Sequence, residues 1–140
     1  MTSRTMRSFI SVGVTELHRL MFHRLGTPQS EDELVFGGDA TPRRYINGSV
    51  TEDGRWLVIN AAMSTTGNEI HAKDLSRSGS EIITVVQGFE NEHGVVHSSG
   101  DFLFLETSLN APNNRLVRVD TNDPGAGRWV DVIPEREEVL

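Results

Sequence analysis

One fixed offset organises most of this chain. Gly54 and Gly100 lie 46 positions apart, and the same spacing separates Trp56 from Phe102, Asn68 from Asn114 and Asp74 from Asp120. Four landmarks in one register, without a gap, describe like units that must stack, because a unit of this size cannot bury its apolar face alone. Each copy reads as a strand, a Gly hairpin, an apolar strand, a loop with Asn, a third strand ending in Asp, a turn rich in Ser, Gly or Pro, and a fourth strand.

The units are made of strands. Apolar residues rarely recur at i, i+3, i+4 and i+7, whereas short β-rich runs bounded by Gly, Asn, Asp, Ser and Pro recur from residue 20 onward. The pattern predicts an all-β fold with strands near 19–24, 33–36, 48–51, 56–61, 69–74, 81–86, 95–97, 102–106, 115–120 and 129–132. Glu52-Asp-Gly-Arg55 and Ser98-Ser-Gly-Asp101 place Gly where a tight hairpin needs positive φ, so each joins two antiparallel strands.

Four antiparallel strands in about 46 residues is the size of one β-propeller blade. The copies set one blade at 46–89 and another at 92–135, and upstream 17–25 and 32–36 read as the third and fourth strands of a preceding blade. The expected organisation is an N-terminal tail over 1–15 and a partial β-propeller over 16–140, with a half blade at 17–36. That is about two and a half four-stranded antiparallel blades. A closed ring takes about four to eight, so these residues do not close one.

Composition removes several function classes. The 13 basic residues against 20 acidic ones give a net charge of −7, which repels nucleic-acid phosphates and anionic lipid. No nucleic-acid or membrane partner is expected. The longest apolar runs, Trp56-Leu-Val-Ile59 and Phe102-Leu-Phe-Leu105, are strand-length and far short of the roughly 20 residues that span a bilayer. The absence of cysteine excludes disulfides, Cys-ligated zinc, iron–sulfur clusters and thiol catalysis, and fits a reducing compartment, for which the cytoplasm is the expectation. The first 14 residues carry Arg4 and Arg7 and no acid, but their apolar stretch is too short for a secretory signal. A frayed tail is the expectation there.

The candidate chemical motifs have simpler explanations. His93 and His97 have the spacing of a helical zinc pair, but Gly94-Val-Val96 between them predicts a strand, on which i and i+4 lie about 13 Å apart. His97, Ser98, Ser99 and Asp101 contain the residue types of a hydrolytic triad, yet they crowd one turn, where Ser and Asp serve local hydrogen bonds. Asn47-Gly-Ser49 is a glycosylation sequon that matters only in a secretory compartment. Glu31-Asp-Glu33 and Glu135-Arg-Glu-Glu138 lack the alternation of a calcium loop and read as solvated charge. Trp56, Phe102, Phe104 and Trp129 sit at strand positions and are expected to fill space between blades.

The order Leu20-Met-Phe-His-Arg-Leu-Gly-Thr-Pro-Gln-Ser-Glu-Asp-Glu-Leu-Val-Phe36, followed by Gly48-Ser-Val-Thr-Glu-Asp-Gly-Arg-Trp-Leu-Val-Ile59, Lys73-Asp-Leu75 and Trp129-Val-Asp-Val-Ile-Pro-Glu135, resembles the prolyl oligopeptidase family. These are serine peptidases that cut after proline in short peptides. The likeness covers roughly residues 17 to 140 and falls on the central blades of the family's N-terminal propeller. It implies an incomplete piece of a seven-bladed propeller that acts as a lid and size filter over a separate α/β-hydrolase domain. That other domain carries the family's nucleophile on a Gly-x-Ser-x-Gly elbow, followed by an Asp and a His.

No Gly-x-Ser-x-Gly occurs in these 140 residues. The elbow is what exposes the serine oxygen beside the oxyanion-hole amides, so no catalytic residue is expected here. The family also touches substrate with an Arg and a Cys in the loop after the second strand of the blade at 46–89. The matching stretch, Ala61-Ala-Met-Ser-Thr-Thr-Gly67, has neither and is one residue shorter, so no substrate-binding residue is carried over. An Asp-Pro pair is missing ahead of Asn68, and Gly37-Gly-Asp-Ala-Thr-Pro-Arg-Arg44 departs from the family pattern. No metal site and no cofactor is expected. The resemblance implies a propeller fragment without autonomous catalysis, or the non-catalytic part of a proline-specific peptidase whose hydrolase domain lies elsewhere, or a protein-interaction module. Its expected partners are other copies, through exposed blade faces, or a hydrolase-domain chain.

Overall fold

A computed structural model describes residues 7–14, 17–31, 33–37 and 45–137. Among the described residues, eleven strands form three antiparallel sheets. The first contains β1 (Arg7–Val14), β2 (Leu17–Arg24) and β3 (Glu33–Gly37) in that order. The second runs β4 (Tyr45–Val50), β5 (Trp56–Ala62), β6 (Glu69–Asp74) and β7 (Ile82–Val86). The third runs β8 (His93–Ser99), β9 (Phe102–Thr107), β10 (Arg115–Asp120) and β11 (Val130–Ile133). Each sheet is a meander of sequential neighbours, as propeller blades are.

The repeat is visible in the strands themselves. β5 and β9 begin at Trp56 and Phe102, and β6 and β10 at Glu69 and Arg115, at the offset read from the sequence. Gly54 (φ 78°) and Gly100 (φ 58°) occupy left-handed backbone in the two hairpins, as the turn chemistry requires.

The N-terminal expectation needs correction. Residues 7–14, expected as tail, form β1, which pairs with β2 from Arg7–Arg24 to Val14–Leu17. Phe9, Ile10, Val12 and Val14 suit a strand, but no copy of the repeat exists to align them against. The first sheet therefore has three strands where two were expected. β8 is also longer than predicted, because a bulge at Val96 lets the ladder with β9 run from His93 to Ser99. Residues 1–6, 15–16, 32, 38–44 and 138–140 lie outside the described residues, including most of the divergent segment at 37–44.

Side-chain alternation explains the continuous apolar run at Trp56. The middle sheet is covered on both faces, so both sets of alternating positions are apolar. Leu57, Ile59 and Ala61, with Ile46, meet Leu20 of the first sheet, joined by Val35 and Phe36. Trp56, Val58, Ile70 and Ala72 face the other way onto Leu103, Leu105, Val117 and Val119 of the third sheet. Gly48 sits at a close approach of the first two sheets: a β-carbon there would lie 2.8 Å from Leu20 Cδ2. The far face of the third sheet has no sheet over it among the described residues, and Val130 and Val132 of its last strand are exposed.

Candidate functional site

The second and third sheets are locked at both ends, by different chemistry. At the hairpin end, Arg55 donates from Nε to Asp74 Oδ1 (3.3 Å) and from Nη2 to Asp74 Oδ2 (3.1 Å) and to Asp101 Oδ1 (2.7 Å). Arg55 and Asp101 hold the same position in successive copies, so opposite charges at one repeat position join adjacent blades. Trp56 adds a second link by donating Nε1–H to the Gly100 carbonyl at 3.1 Å. Burial pushes the Asp74 carboxyl up, but the Arg55 bonds, both Ser76 bonds and the Arg55 charge outweigh it, and the group is held well below the usual carboxylate range.

The backbone repeats this pattern. Leu75 N–H donates to Arg55 O, and 46 residues on Thr121 N–H donates to Asp101 O. Likewise Ser76 N–H caps Asp74 Oδ1, and Asn122 N–H caps Asp120 Oδ1. The landmark aspartates are thus turn-closing residues after the third strand of each blade.

At the opposite end, the loop from β5 to β6 and the start of β8 border an open depression of about 400 Å³, lined by Asn60, Asn68, Glu92, Glu106 and Asn114. Asn68 is its structural centre. Its Nδ2 donates to the His93 carbonyl and its Oδ1 accepts the His93 N–H, both at 2.9 Å and both buried. One side-chain amide thereby stands in for a strand neighbour and sets the register of β8 against the preceding blade. His93 Nδ1 lies 2.7 Å from Thr107 Oγ1, which also accepts the Leu109 N–H. Burial pushes the His93 imidazole down to about 4, so it is neutral at neutral pH.

The two histidine pairs of these sheets are buried. His93 and Thr107 pair a base with a hydroxyl, but Thr107 is 1% exposed and out of reach of a ligand. His71 and Glu69 also meet, Nε2 to Oε1 at 3.2 Å, yet both are buried in the body of the middle sheet, with Glu69 Oε2 accepting the Gly88 N–H and His71 Nδ1 beside Thr84 Oγ1. The depression offers hydroxyls, amides and carboxylates for contact.

The sequence motifs fall apart in space. His93 and His97 both lie on β8, but across the Val96 bulge His93 pairs with Thr107 on the buried face, while His97 stacks on Phe104 on the open one. Asp101 binds Arg55 rather than His97, so the crowded His-Ser-Ser-Asp residues form a hairpin. Asn47 is exposed on β4, opposite Asn60. Glu31 closes a short 3₁₀ turn (Gln29–Glu31), Glu33 opens β3, and Glu135 accepts the Asn113 N–H, whereas Asp32 and Glu138 lie outside the described residues. Trp56 and Trp129 pack at the interface of the second and third sheets, as expected of space-filling aromatics. Two residues escaped the sequence reading. Arg55 was signalled only by facing Asp101 across the offset, and Gly67 by nothing in its own neighbourhood.

Replacing Asn68 by Ala strands a buried N–H and a buried carbonyl at His93. The expected cost is about 2–3 kcal/mol, read as a lower urea midpoint at unchanged slope. A midpoint equal to the parent's would show that water replaces the amide freely.

Stacked four-stranded meanders in a 46-residue repeat, bound to each other by polar side chains, define a segment of a β-propeller. The chain belongs to the prolyl oligopeptidase family: the model of that family's N-terminal β-propeller domain matches residues 4–140. It is 49% identical over 128 residues to a prolyl endopeptidase of Elizabethkingia miricola, covering 91% of this chain and 18% of that protein. A prolyl endopeptidase of Elizabethkingia meningoseptica is 47% identical over the same shares. Among solved structures, a prolyl endopeptidase studied for inter-domain dynamics in catalysis and specificity superposes with a TM-score of 0.83 at 29% identity, over 96% of this chain and 20% of that one. Prolyl oligopeptidase B from Galerina marginata shares the fold, with a TM-score of 0.81 at 22% identity over 97% of this chain and 20% of its own. The chain spans about a fifth of the length of these relatives.

Proposed function

We propose that these residues serve as a structural part of the lid over a proline-specific hydrolase domain and carry out no chemistry themselves. The observation that carries this reading is the depression at the loop end. It lies at the loop the family resemblance links to substrate contact, and the amide of Asn68 in its lining is engaged in joining blades. That loop carries exposed Ser64 and Thr65 and neither an Arg nor a Cys, so its contact with a passing peptide is weak and uncharged. The cysteine-free composition and acidic charge support a cytoplasmic setting away from nucleic acid and membranes. No helix among the described residues is long and apolar enough to cross a membrane.

The purified chain is expected to leave a chromogenic Gly-Pro substrate uncut, and cleavage is expected only once a hydrolase-domain chain is added. Turnover by the chain alone, at a rate proportional to its concentration, would sink this reading. A second reading, an interaction module, is favoured by the uncovered face of the third sheet. It predicts capture of one specific partner that does not hydrolyse peptides.

A further inference from the structure

The leading strands of the second and third sheets part at the hairpin end. Between β4 and β8 lies an open cleft of about 400 Å³, at the end of the blades opposite the depression. Val58 and Val95, which line it, belong to the apolar contact between the two sheets. The bulge in β8 adds a third valine. Val95 and His97 pair with Leu105 and Phe104, so Val96 is the extra residue, and it stands 59% exposed in the lining of the cleft. β4, the same strand of the preceding copy, pairs with β5 without a bulge. A concave opening onto apolar side chains with a few polar groups at its margin has the make-up of a ligand site.

Two further features say what the occupant is made of. Thr51 N–H donates to Trp56 O at 2.9 Å, and bonded pairs alternate with unbonded ones along an antiparallel ladder. Val50, one position back and opposite Leu57, therefore turns its N–H and C=O away from β5, toward an edge that no strand covers among the described residues. An extended peptide takes such groups by strand addition. The other feature is charge. No Lys or Arg lines the cleft, whereas Glu52 and Asp53 do. Asp53 Oδ1 already accepts the Thr51 hydroxyl and the Arg55 N–H. Glu52 is exposed and makes no hydrogen bond or ion pair among the described residues, so its carboxylate is the one open to a cation.

We propose that this cleft binds the amino-terminal end of an extended peptide whose first side chain is apolar. The main chain runs along Val50, the apolar side chain meets Val58, Val95 and Val96, and the ammonium group sits at Glu52. The site is separate from the depression at the loop end and needs no hydrolase domain, so a negative result here leaves the lid reading standing.

The test titrates the whole isotope-labelled chain with Leu-Ala-Ala amide, followed through backbone amide shifts. Saturable shifts are expected at Val50, Val95 and Val96 and not at Asn68 or Asn114. Acetylating the peptide's amino group is expected to weaken binding about two- to fivefold, the range of an exposed ion pair. Replacing its leucine by serine should weaken it about tenfold. Glu52→Gln should reproduce the loss on acetylation and leave the chain indifferent to the acetyl group. Val96→Thr, a change at an exposed position that keeps the β-branch, should weaken binding about threefold. Absence of saturable shifts overturns the proposal. So does binding that either variant leaves unchanged, equal binding of the free and acetylated peptides, or shifts centred on the depression, which would move the peptide to the loop end.

Discussion

Acidification from pH 7 is expected to weaken the fold in two separate windows, one for each end of the blade interface. The first belongs to His93. Its folded imidazole stays neutral down to about pH 4, while in the unfolded chain it takes up a proton near 6.5. Between those values the unfolded state binds more protons, so stability falls as pH drops and the loss is complete once pH passes the folded value. The loss amounts to up to about 3 kcal/mol, at 1.36 kcal/mol per pH unit. The second window belongs to Asp74, whose carboxyl is held well below its ordinary 3.8. Its contribution is present in full above that value and is lost as pH falls below it, when protonation releases Arg55. Urea midpoints measured from pH 8 to 2, followed by the fluorescence of Trp56 and Trp129, read both windows. His93→Asn keeps a polar group toward Thr107 and removes the titration, so the slope between 6.5 and 4 should flatten. Asp74→Asn should cost about 3 kcal/mol already at pH 7, because it leaves Arg55 short of its buried partner, and should remove the lower window. One continuous slope that neither variant changes would show that these residues do not couple the sheets.

The two ends differ in how far the sequence disclosed them. Asp74 and Asp120 were legible as landmarks because a turn-capping carboxylate must sit at the end of the third strand in every copy. Asn68 was legible in the same way, but only as a spacing. Its work depends on His93 lying across the interface, and no local pattern encodes a side chain that substitutes for a neighbouring strand. The apolar runs at Trp56 and Phe102 were legible as strands because burial on both faces removes alternation and leaves a short hydrophobic block. β1 was hidden for the opposite reason. Outside the two copies, a segment with two serines and a glycine has no matching repeat position to define it. Arg55 shows a third case, in which the repeat is informative where it breaks. A charge reversal between Arg55 and Asp101 at one position is what lets neighbouring copies attract each other rather than repel.

That asymmetry makes the loop end the more fragile one, and Gly67→Ala is expected to be the most damaging single substitution in the chain. A β-carbon at Gly67 would lie 1.7 Å from the Phe89 carbonyl oxygen and 2.5 Å from its carbon, and backbone of that kind cannot swing aside as a side chain can. The residue is also at φ +77°, where alanine is strained. Relief requires the loop carrying Asn68 to part from the segment leading into β8, which pulls apart the two hydrogen bonds to His93. The expected cost is about 4 kcal/mol or more, or failure to fold. Gly79→Ala provides the control, since Gly79 has a similar φ of +73° but open space around its missing side chain, and backbone strain alone should cost about 1 kcal/mol. The difference between the two urea midpoints isolates the contact with Phe89, and equal midpoints would remove it from the account. In the next copy the same repeat position is Asn113, which grips the chain by hydrogen bonds from its N–H to Glu135 and from its side chain to the carbonyls of Arg136 and Glu137. Only the first of the two positions, where chain meets chain without a side chain between them, should therefore be intolerant of a single methyl group.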